Sequence, residues 1–384
     1  VGDSSGYRIS GNYNTSVGFA ALSGGSSGTG YGTAQQNIAI GREAMLDATS
    51  AQENVAIGNY SAAEITEGNY NTAIGYAALR YGTTTNRQVA VGYAALSKFT
   101  QDGDLKNTAV GMYAMLNPRS GSKNVALGYA AMQGDNSTYD SDYNTALGSD
   151  SLFALQGGNN NVAVGYNAGN AVTTGYDNTL VGTSAGATLT TGYYNTYIGK
   201  TAGSGATTAA HSNVGIGLGA LSSVHGAGNV AIGRGALSST TDANQVAIGS
   251  SALEANTSGE KNVAIGFQAL EVNTTGSYNV AMGHEAMELN VGGYYNVAIG
   301  YEALATLAPN STEGYNTALG YSAGTLLTTG TFNTLLGASA GDSLTTAQRN
   351  TMVGHRAGQA LTTQSYNTMV GERSGENSSD GIYN

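Results

Sequence analysis

The chain has 384 residues with no cysteine, no tryptophan, 2 prolines and charged side chains at only 10% of positions. Without cysteine it can form no disulfide and has no thiolate to serve as a nucleophile or metal ligand. So few prolines exclude a collagen-like chain. Its 14 basic residues are scattered among 25 acidic ones, whereas nucleic-acid binding requires clustered cations. No apolar run approaches the length of about 18 residues that a membrane span requires, so membrane insertion is not predicted.

Glycine is abundant, with 58 residues, and there are 25 tyrosines. Glycine disfavours a helix interior by about 1 kcal/mol per residue, which argues against a helical protein. A hydrophobic content of 40% does not fit a disordered, solvated chain. The composition therefore indicates a repetitive structure.

One pentapeptide recurs throughout the chain. Its first position is Asn (Gln at 88 and 245), its second is Thr, Val or Ile, its fourth is aliphatic or Met, and its fifth is Gly. Most copies follow one another with a period of about 17 residues, the kind of fixed spacing that marks a repeat architecture. The motif begins at 21 positions: 14, 37, 54, 71, 88, 107, 124, 144, 161, 178, 195, 213, 229, 245, 262, 279, 296, 316, 333, 350 and 367. Representative first and fifth positions are Asn71 and Gly75, Asn144 and Gly148, Asn262 and Gly266, and Asn296 and Gly300.

This period predicts an all-β fold, a parallel β-solenoid or β-roll of about 21 coils. Each coil would contain a strand, a Gly turn with positive φ, a second short strand and a return segment. At about 4.8 Å per coil the array would form a rod of roughly 100 Å. We expect residues 1–384 to be one continuous array cut mid-repeat at both ends. The stacked Asn residues either form an amide ladder or complete turns within their own coils.

The motif strand has no charged or large polar residue on either face, since positions two and four are apolar or β-branched and position three is small or apolar. Positions two and four face one way and position three the other, yet a thin coil has only one interior. Strands that are apolar on both faces are normally covered on both. The pattern therefore predicts self-association, without giving the number of chains or the face involved.

The third and ninth positions compensate each other in volume. A bulky third position follows a ninth-position Gly at a distance of 11 residues, whereas Leu or Met at the ninth position precedes a small residue. The pairs are Gly169 with Leu180, Gly186 with Tyr197, Gly324 with Leu335, Gly341 with Met352, and Gly358 with Met369. Such compensation is typical of close packing, so we expect contact between neighbouring coils, either across one coil or between chains.

Insertions fall in the return segments, at 23–36, 102–104, 134–142 and 306–314. Insertions confined to one segment map to one face, often a binding face, although tolerated loop drift explains them equally well. Candidate binding residues in these loops are Tyr31, Asp102, Asp104, Tyr139 and Asn310.

The loop with Asp135, Asp140 and Asp142 could hold Ca²⁺ through oxygen ligands, but it matches no calcium motif, and a solvated polar loop is the favoured interpretation. Four dispersed histidines have no metal-ligand spacing, and no nucleophile–base pair is evident. We therefore expect no enzymatic activity, no cofactor and no metal site. The rows of tyrosine beside the motif could stack on sugars, but stacking between coils is the favoured interpretation.

The Asn-Val-Ala-Ile-Gly motif resembles the head repeats of YadA-like trimeric autotransporter adhesins. The longer unit, Asn-Thr-Ala-Leu-Gly-Tyr-Ser-Ala-Gly-Thr-Leu-Leu-Thr-Thr-Gly at 316–330, is more similar to repeats of phage and bacterial tail-fibre-domain proteins. The resemblance implies a homotrimeric β-roll, located outside the cell on a virion tail fibre or a bacterial surface.

The leading hypothesis is a structural fibre shaft with an attachment role toward a cell-surface glycan or protein receptor. Recurrent Thr-Thr pairs leave an ice-binding solenoid as one alternative. A self-assembling extracellular filament without a receptor is another.

Overall fold

The computed structural model describes residues 2–24, 32–117, 120–134, 140–223, 225–307 and 313–377. Within these residues the regular structure is all β. The predicted parallel β-solenoid is confirmed, and its characteristic step of 17 residues links Asn54 to Asn37 and Asn279 to Asn262. No helix there is long and apolar enough to cross a membrane. The chain divides into two compact units, Val1–Tyr194 and Asn195–Asn384, and each is considered by itself.

Unit 1 contains ten motif strands and two short additional strands. The strands are β1 (Thr15–Val17), β2 (Ile38–Ile40), β3 (Val55–Ile57), β4 (Thr72–Ile74), β5 (Thr85–Asn86), β6 (Val89–Val91), β7 (Gly103–Asp104), β8 (Thr108–Val110), β9 (Val125–Leu127), β10 (Thr145–Leu147), β11 (Val162–Val164) and β12 (Thr179–Val181). Successive motif strands pair in parallel, and β5 pairs separately with β7.

Unit 2 contains eleven motif strands that pair in parallel in chain order. They are β13 (Thr196–Ile198), β14 (Val214–Ile216), β15 (Val230–Ile232), β16 (Val246–Ile248), β17 (Val263–Ile265), β18 (Val280–Met282), β19 (Val297–Ile299), β20 (Thr317–Leu319), β21 (Thr334–Leu336), β22 (Thr351–Val353) and β23 (Thr368–Val370). The register is kept across coils of unequal length: Val297 pairs with Thr317 although 20 residues separate their motifs.

The motif Asn forms a buried ladder and also closes its own coil. We name each coil by the first residue of its motif. Asn296 donates its backbone N–H and its Nδ2 to Oδ1 of Asn279, at 3.0 and 3.2 Å. Asn279 in turn donates its Nδ2 to the Gly293 carbonyl in its own return segment, at 2.7 Å. The motif Asn therefore forms the ladder between coils and also completes a turn in its own coil. Its amide can do both because the oxygen accepts hydrogen bonds while the NH2 group donates them.

Two features of the coil require glycine at the fifth position: a positive φ and the close approach of the next coil. Gly266 has a φ of 140°, which disfavours residues with a Cβ. A Cβ added there would also collide with the carbonyl oxygen of Gly283 in the next coil. The turn thus fixes both the chain reversal and the close stacking of coils.

The expected second strand is described in only two coils, as β5 in the coil of Asn71 and β7 in the coil of Gln88; the other described coils have the motif strand alone. After the Gly turn the backbone enters a run of turns in which the seventh and ninth positions are left-handed, as at Ala77 (φ 53°) and Leu79 (φ 50°). A left-handed residue costs roughly 1–2 kcal/mol and cannot extend a strand. Hydrogen bonds between coils offset this cost: Ala77 N–H donates to Asn59 O and Leu79 N–H to Ala95 O, each at 2.9 Å.

The interior of each coil is narrow and tightly filled. Alanines at the third and eighth positions, such as Ala298 and Ala303, and the ninth-position Leu304 are 0% exposed. Small residues suit this space because the strand and the turn segment approach each other closely.

Candidate functional site

The structure establishes which apolar face of the strand is the coil interior. Third-position side chains point inward, whereas the second and fourth positions point outward and stay partly or largely exposed. We call the surface formed by the second and fourth positions the outer strand face. Leu127 and Leu319 on this face are 48% and 50% exposed. None of these positions carries a charge in any of the 21 copies: the fourth is always aliphatic or Met, and the second is Val or Ile in 11 copies and Thr in 10. The face is therefore a neutral, largely apolar strip within each unit.

Two aromatic columns border the outer strand face in unit 2. At the sixth position, successive ring centroids lie 5.0–5.2 Å apart along the column Phe267, His284, Tyr301 and Tyr321. At the position before the motif Asn they lie 5.1–5.2 Å apart along the column Tyr278, Tyr295, Tyr315 and Phe332.

These rings stack face to face along the coils, so their inner faces are covered by their neighbours and their edges point to solvent. Sugar stacking uses the ring face, and the arrangement therefore favours a structural role for the tyrosine rows.

The column before the motif Asn continues into basic side chains at both ends. Lys261 Nζ lies 4.9 Å from the Tyr278 ring centroid. The Arg349 guanidinium lies 5.4 Å from the Phe332 ring and 5.3 Å from the Tyr366 ring. Cation–π contacts at exposed sites contribute about 0.5–1 kcal/mol each, so the cations continue the stack of rings.

The insertion at 102–104 forms the most structured irregularity among the described return segments. Its strand β7 pairs with β5 of the preceding coil. Asp104 forms ion pairs with Arg87 and, at 3.2 Å, with Lys106. Desolvation raises the pKa of Asp104, but hydrogen bonds to Lys106 and Arg87 and their charges outweigh it and hold the pKa below its usual value. Asp102 accepts hydrogen bonds from Thr83 and Thr84.

Two open grooves flank this insertion. The larger, of about 490 Å³, is lined by Glu64, Tyr81, Thr83, Lys98 and Thr100. The smaller, of about 200 Å³, is lined by Asn69, Tyr70, Asn86, Arg87 and Asp104.

Arginine stacks on the tyrosine of each groove: Arg80 lies 5.0 Å from the Tyr81 ring centroid, and Arg87 lies 5.7 Å from the Tyr70 ring centroid. The structure therefore brings Asp102 and Asp104 into one patch with aromatic and charged side chains.

The remaining predicted loop residues do not join this patch. Tyr31, Asp135, Tyr139 and Asn310 lie outside the described residues. Asp142 Oδ1 accepts hydrogen bonds from the backbone N–H and the hydroxyl of Ser122, at 2.6 and 2.9 Å, while Asp140 is exposed. Across the described ranges, no group of three or more His, Cys, Asp or Glu side chains is arranged to hold a metal ion.

The ninth-position glycines lie against the bulky third positions within one chain. A Cβ at Gly169 would lie 2.7 Å from Leu180 Cδ1, and one at Gly324 would lie 2.6 Å from Leu335 Cδ1. The glycine of the bulky residue's own coil is close as well: a Cβ at Gly341 would lie 3.0 Å from Leu335 Cδ2 in its own coil and 3.0 Å from Met352 Sδ in the next coil.

Own-coil contacts also occur at Gly358 with Met352, at Gly375 with Met369, and at Gly203 with the Tyr197 ring. Gly186, the partner predicted for Tyr197, has a φ of 58°. This is the left-handed backbone that the other ninth-position glycines adopt.

A buried Tyr–His pair was missed from the sequence. Tyr197 Oη lies 2.8 Å from His225 Nε2, and both side chains are 0% exposed. His225 Nδ1 lies 2.7 Å from the Ser223 carbonyl, so Nδ1 carries the proton and Nε2 accepts from the phenol. Burial lowers the pKa of His225 and raises that of Tyr197. The sequence hinted at this pair in one way. Tyr197 is an aromatic residue at the third motif position, and the coil that follows, which begins at Asn213, has 16 residues instead of 17.

A second amide ladder was also missed. Asn256, Asn273 and Asn290 occupy the twelfth position of three successive coils and are 0% exposed. Asn273 Nδ2 donates to Asn256 Oδ1 at 2.7 Å, and Asn290 Nδ2 donates to Asn273 Oδ1 at 3.2 Å. The recurrence of Asn at one repeat position in three consecutive copies could have revealed it.

Three of the Thr-Thr pairs use their first hydroxyl within the fold. Thr173 Oγ1 donates to the Thr190 carbonyl at 3.2 Å, and Thr328 and Thr345 donate to the corresponding carbonyls of their next coils at 3.1 Å. These donors are therefore not available to an ice surface.

The chain matches no known family model, and no curated protein matches it.

Proposed function

We propose that the chain is a structural fibre segment that associates with copies of itself and carries attachment surfaces on its return segments. The carrying observation is the outer strand face, an uncharged and largely apolar strip of Val, Ile, Leu, Met and Thr side chains on a chain whose net charge is −11. An exposed strip of this extent is unusual for a surface that faces only water.

A second copy of the chain is the occupant that best fits this face. Two neutral strips can meet without bringing the acidic charges of the two chains together. Ten coils at about 4.8 Å and a strand-face width of roughly 17–20 Å give a flat area of about 800–960 Å². A stable interface needs about 800 Å² per partner. The resemblance to trimeric adhesin and tail-fibre repeats favours three copies.

The test compares two equally exposed leucines. Leu319 lies on the outer strand face and Leu326 on the return segment, and each is 50% exposed. We expect native mass measurement to give an oligomer for the unmodified chain, at least tenfold weaker assembly for Leu319→Lys, and unchanged assembly for Leu326→Lys. A monomeric unmodified chain, or equal effects of the two variants, would contradict the proposal.

The attachment role is supported by the two grooves beside the insertion at 102–104. They combine tyrosines, hydroxyls and balanced charges on an exposed return segment, which suits a surface glycan or protein outside the cell. Binding of the labelled chain to intact bacterial cells should fall in Tyr81→Ala and persist in Tyr166→Ala, an exposed tyrosine away from these grooves. If binding to cells falls in neither variant, the groove does not contribute to attachment.

Two alternatives remain open to experiment. Thermal hysteresis, or inhibition of ice recrystallisation, would favour the ice-binding alternative, although the threonine hydroxyls already bonded within the fold argue against it. Self-assembly without binding to any cell type would favour the filament without a receptor.

A further inference from the structure

Five pairs of tyrosines from neighbouring coils are stacked nearly in parallel on the surface. They are Tyr76–Tyr93, Tyr176–Tyr193, Tyr278–Tyr295, Tyr295–Tyr315 and Tyr301–Tyr321, with ring centroids 4.9–5.2 Å apart and interplanar angles of 2–16°. Other neighbouring tyrosines, such as Tyr93 and Tyr113, meet edge to face at 89°.

Rings that stack nearly in parallel from equivalent positions of neighbouring coils can superpose with equivalent atoms opposite each other. The Cε atoms, which are ortho to the phenol oxygens, then face each other across a centroid distance of 4.9–5.2 Å. The backbone ladder keeps this register, as where Val280 pairs with Val297 beside the Tyr278–Tyr295 stack. The two tyrosine rings are bordered by solvent, so they can tilt toward each other until their Cε atoms meet. The backbones of the two coils can stay about 4.8 Å apart while this happens.

We propose that these stacked pairs are sites of oxidative dityrosine cross-linking, which would join neighbouring coils covalently when a haem peroxidase and hydrogen peroxide are present. Each phenol loses one electron to the oxidised haem and one proton to a base. The two radicals couple through a new Cε–Cε bond, and each ring regains aromaticity as the hydrogen on that carbon moves to the phenol oxygen. One peroxide is reduced to two water molecules, and the chain loses two hydrogen atoms per link.

Two of the pairs contain a phenol with a carboxylate partner that can accept the proton. A hydrogen bond to Glu302 and the charge of Glu302 raise the pKa of Tyr301. Desolvation, followed by the charge of Glu313 and a hydrogen bond to it, raises the pKa of Tyr315. A phenol that is hydrogen-bonded to a carboxylate can give up its proton to that partner as the electron leaves.

The chain has no cysteine and so cannot be stabilised by a disulfide. A dityrosine link between coils would provide a covalent cross-link instead. It would close a loop of about one repeat and so restrict the unfolded chain in the way a disulfide does. The reaction also depends only on one chain, so it is independent of the proposed self-association.

The experiment treats the intact chain with a haem peroxidase and hydrogen peroxide at low protein concentration. We expect dityrosine fluorescence, a monomeric mass on a denaturing gel, linked peptides from the five stacked pairs in tandem mass spectrometry, and a higher melting temperature. Links spread over unstacked exposed tyrosines, or links only between chains, would overturn the proposal.

Tyr→Phe variants provide matched controls because phenylalanine keeps the ring but lacks the phenol. Tyr295→Phe should abolish both links of its column, since Tyr278 and Tyr315 are then two coils apart. Tyr166→Phe removes a tyrosine that is 58% exposed and has no ring partner in the described part of the chain, and it should leave the linked peptides unchanged. Persistence of links to Tyr278 and Tyr315 in Tyr295→Phe would also contradict the proposal.

Discussion

Among individual residues, a few buried amides hold the coils in register. The motif Asn is satisfied by the amide ladder, but its replacement Gln88 leaves Nε2 buried without a partner among the described residues. Gln245 avoids this defect because its Nε2 donates to the Gly259 carbonyl. A buried polar group without a partner costs roughly 1–3 kcal/mol, so Asn is preferred for its length as well as its chemistry.

The buried Tyr197–His225 pair predicts a pH dependence. Burial lowers the folded-state pKa of His225, so the unfolded chain binds the proton more readily. Stability should therefore be complete above the unfolded pKa of about 6.5 and fall as the pH drops through that value toward the lower folded pKa. Denaturant melts between about pH 7 and 5 should show this loss of stability.

His225→Gln should flatten the profile, since glutamine offers a neutral acceptor. His355→Gln is the control because His355 is on the surface, and it should leave the slope as in the unmodified chain. A slope unaffected by His225→Gln would argue against this assignment.

In most of the described coils, the chain combines one motif strand with a left-handed turn segment, and the coils with β5 and β7 have a second short strand as well. The Gly turn and the strand follow from the motif. The turn segment does not, because alanine and leucine at the seventh and ninth positions have no intrinsic preference for positive φ. Hydrogen bonds from neighbouring coils impose that conformation, so no single repeat would adopt it alone.

The packing of the third position predicts the effect of enlarging it. Ala298 is 0% exposed, and its repeat position lies against the ninth position of its own coil and of the preceding one. Ala298→Leu should therefore cost about 1–3 kcal/mol in free energy of unfolding, from overpacking against Met287 and Leu304.

Adding Met287→Gly and Leu304→Gly recreates the combination found around Leu335 and should recover part of the loss. The measurement is chemical denaturation. A neutral Ala298→Leu, or no recovery in the triple variant, would show that this volume relation is misassigned.

Within each unit, neighbouring coils contact each other through the same ladder of backbone and motif amide hydrogen bonds. Stability in such an array is approximately a sum of coil terms and nearest-neighbour terms. The described insertions leave the strand ladder intact, as the pairing of Val297 with Thr317 across a lengthened coil shows. Register is therefore defined by the motif and not by the number of residues in the return segment.

Removing one complete coil should preserve the fold. Deletion of residues 262–278 joins Lys261 to Asn279 and restores the ladder, so the circular dichroism per residue should stay the same and the melting temperature should change little. Deletion of 262–270 removes the strand but leaves the return segment, and it should lower the melting temperature strongly. Equal behaviour of the two deletions would refute register control by the motif.

The repeat pattern alone specified the period, the parallel strand ladder, the Gly turn and the confinement of insertions to one segment. These features are local or recur at a fixed spacing, so a pattern such as that of Asn296 and Gly300 displays them directly. The folded coil was needed to show that the third position faces inward and the second and fourth outward, because the alternation of a strand gives two faces without saying which one the coil encloses. The closure of each coil also brought Tyr197 to His225 and Gly341 to Leu335, contacts that depend on where the chain returns in space.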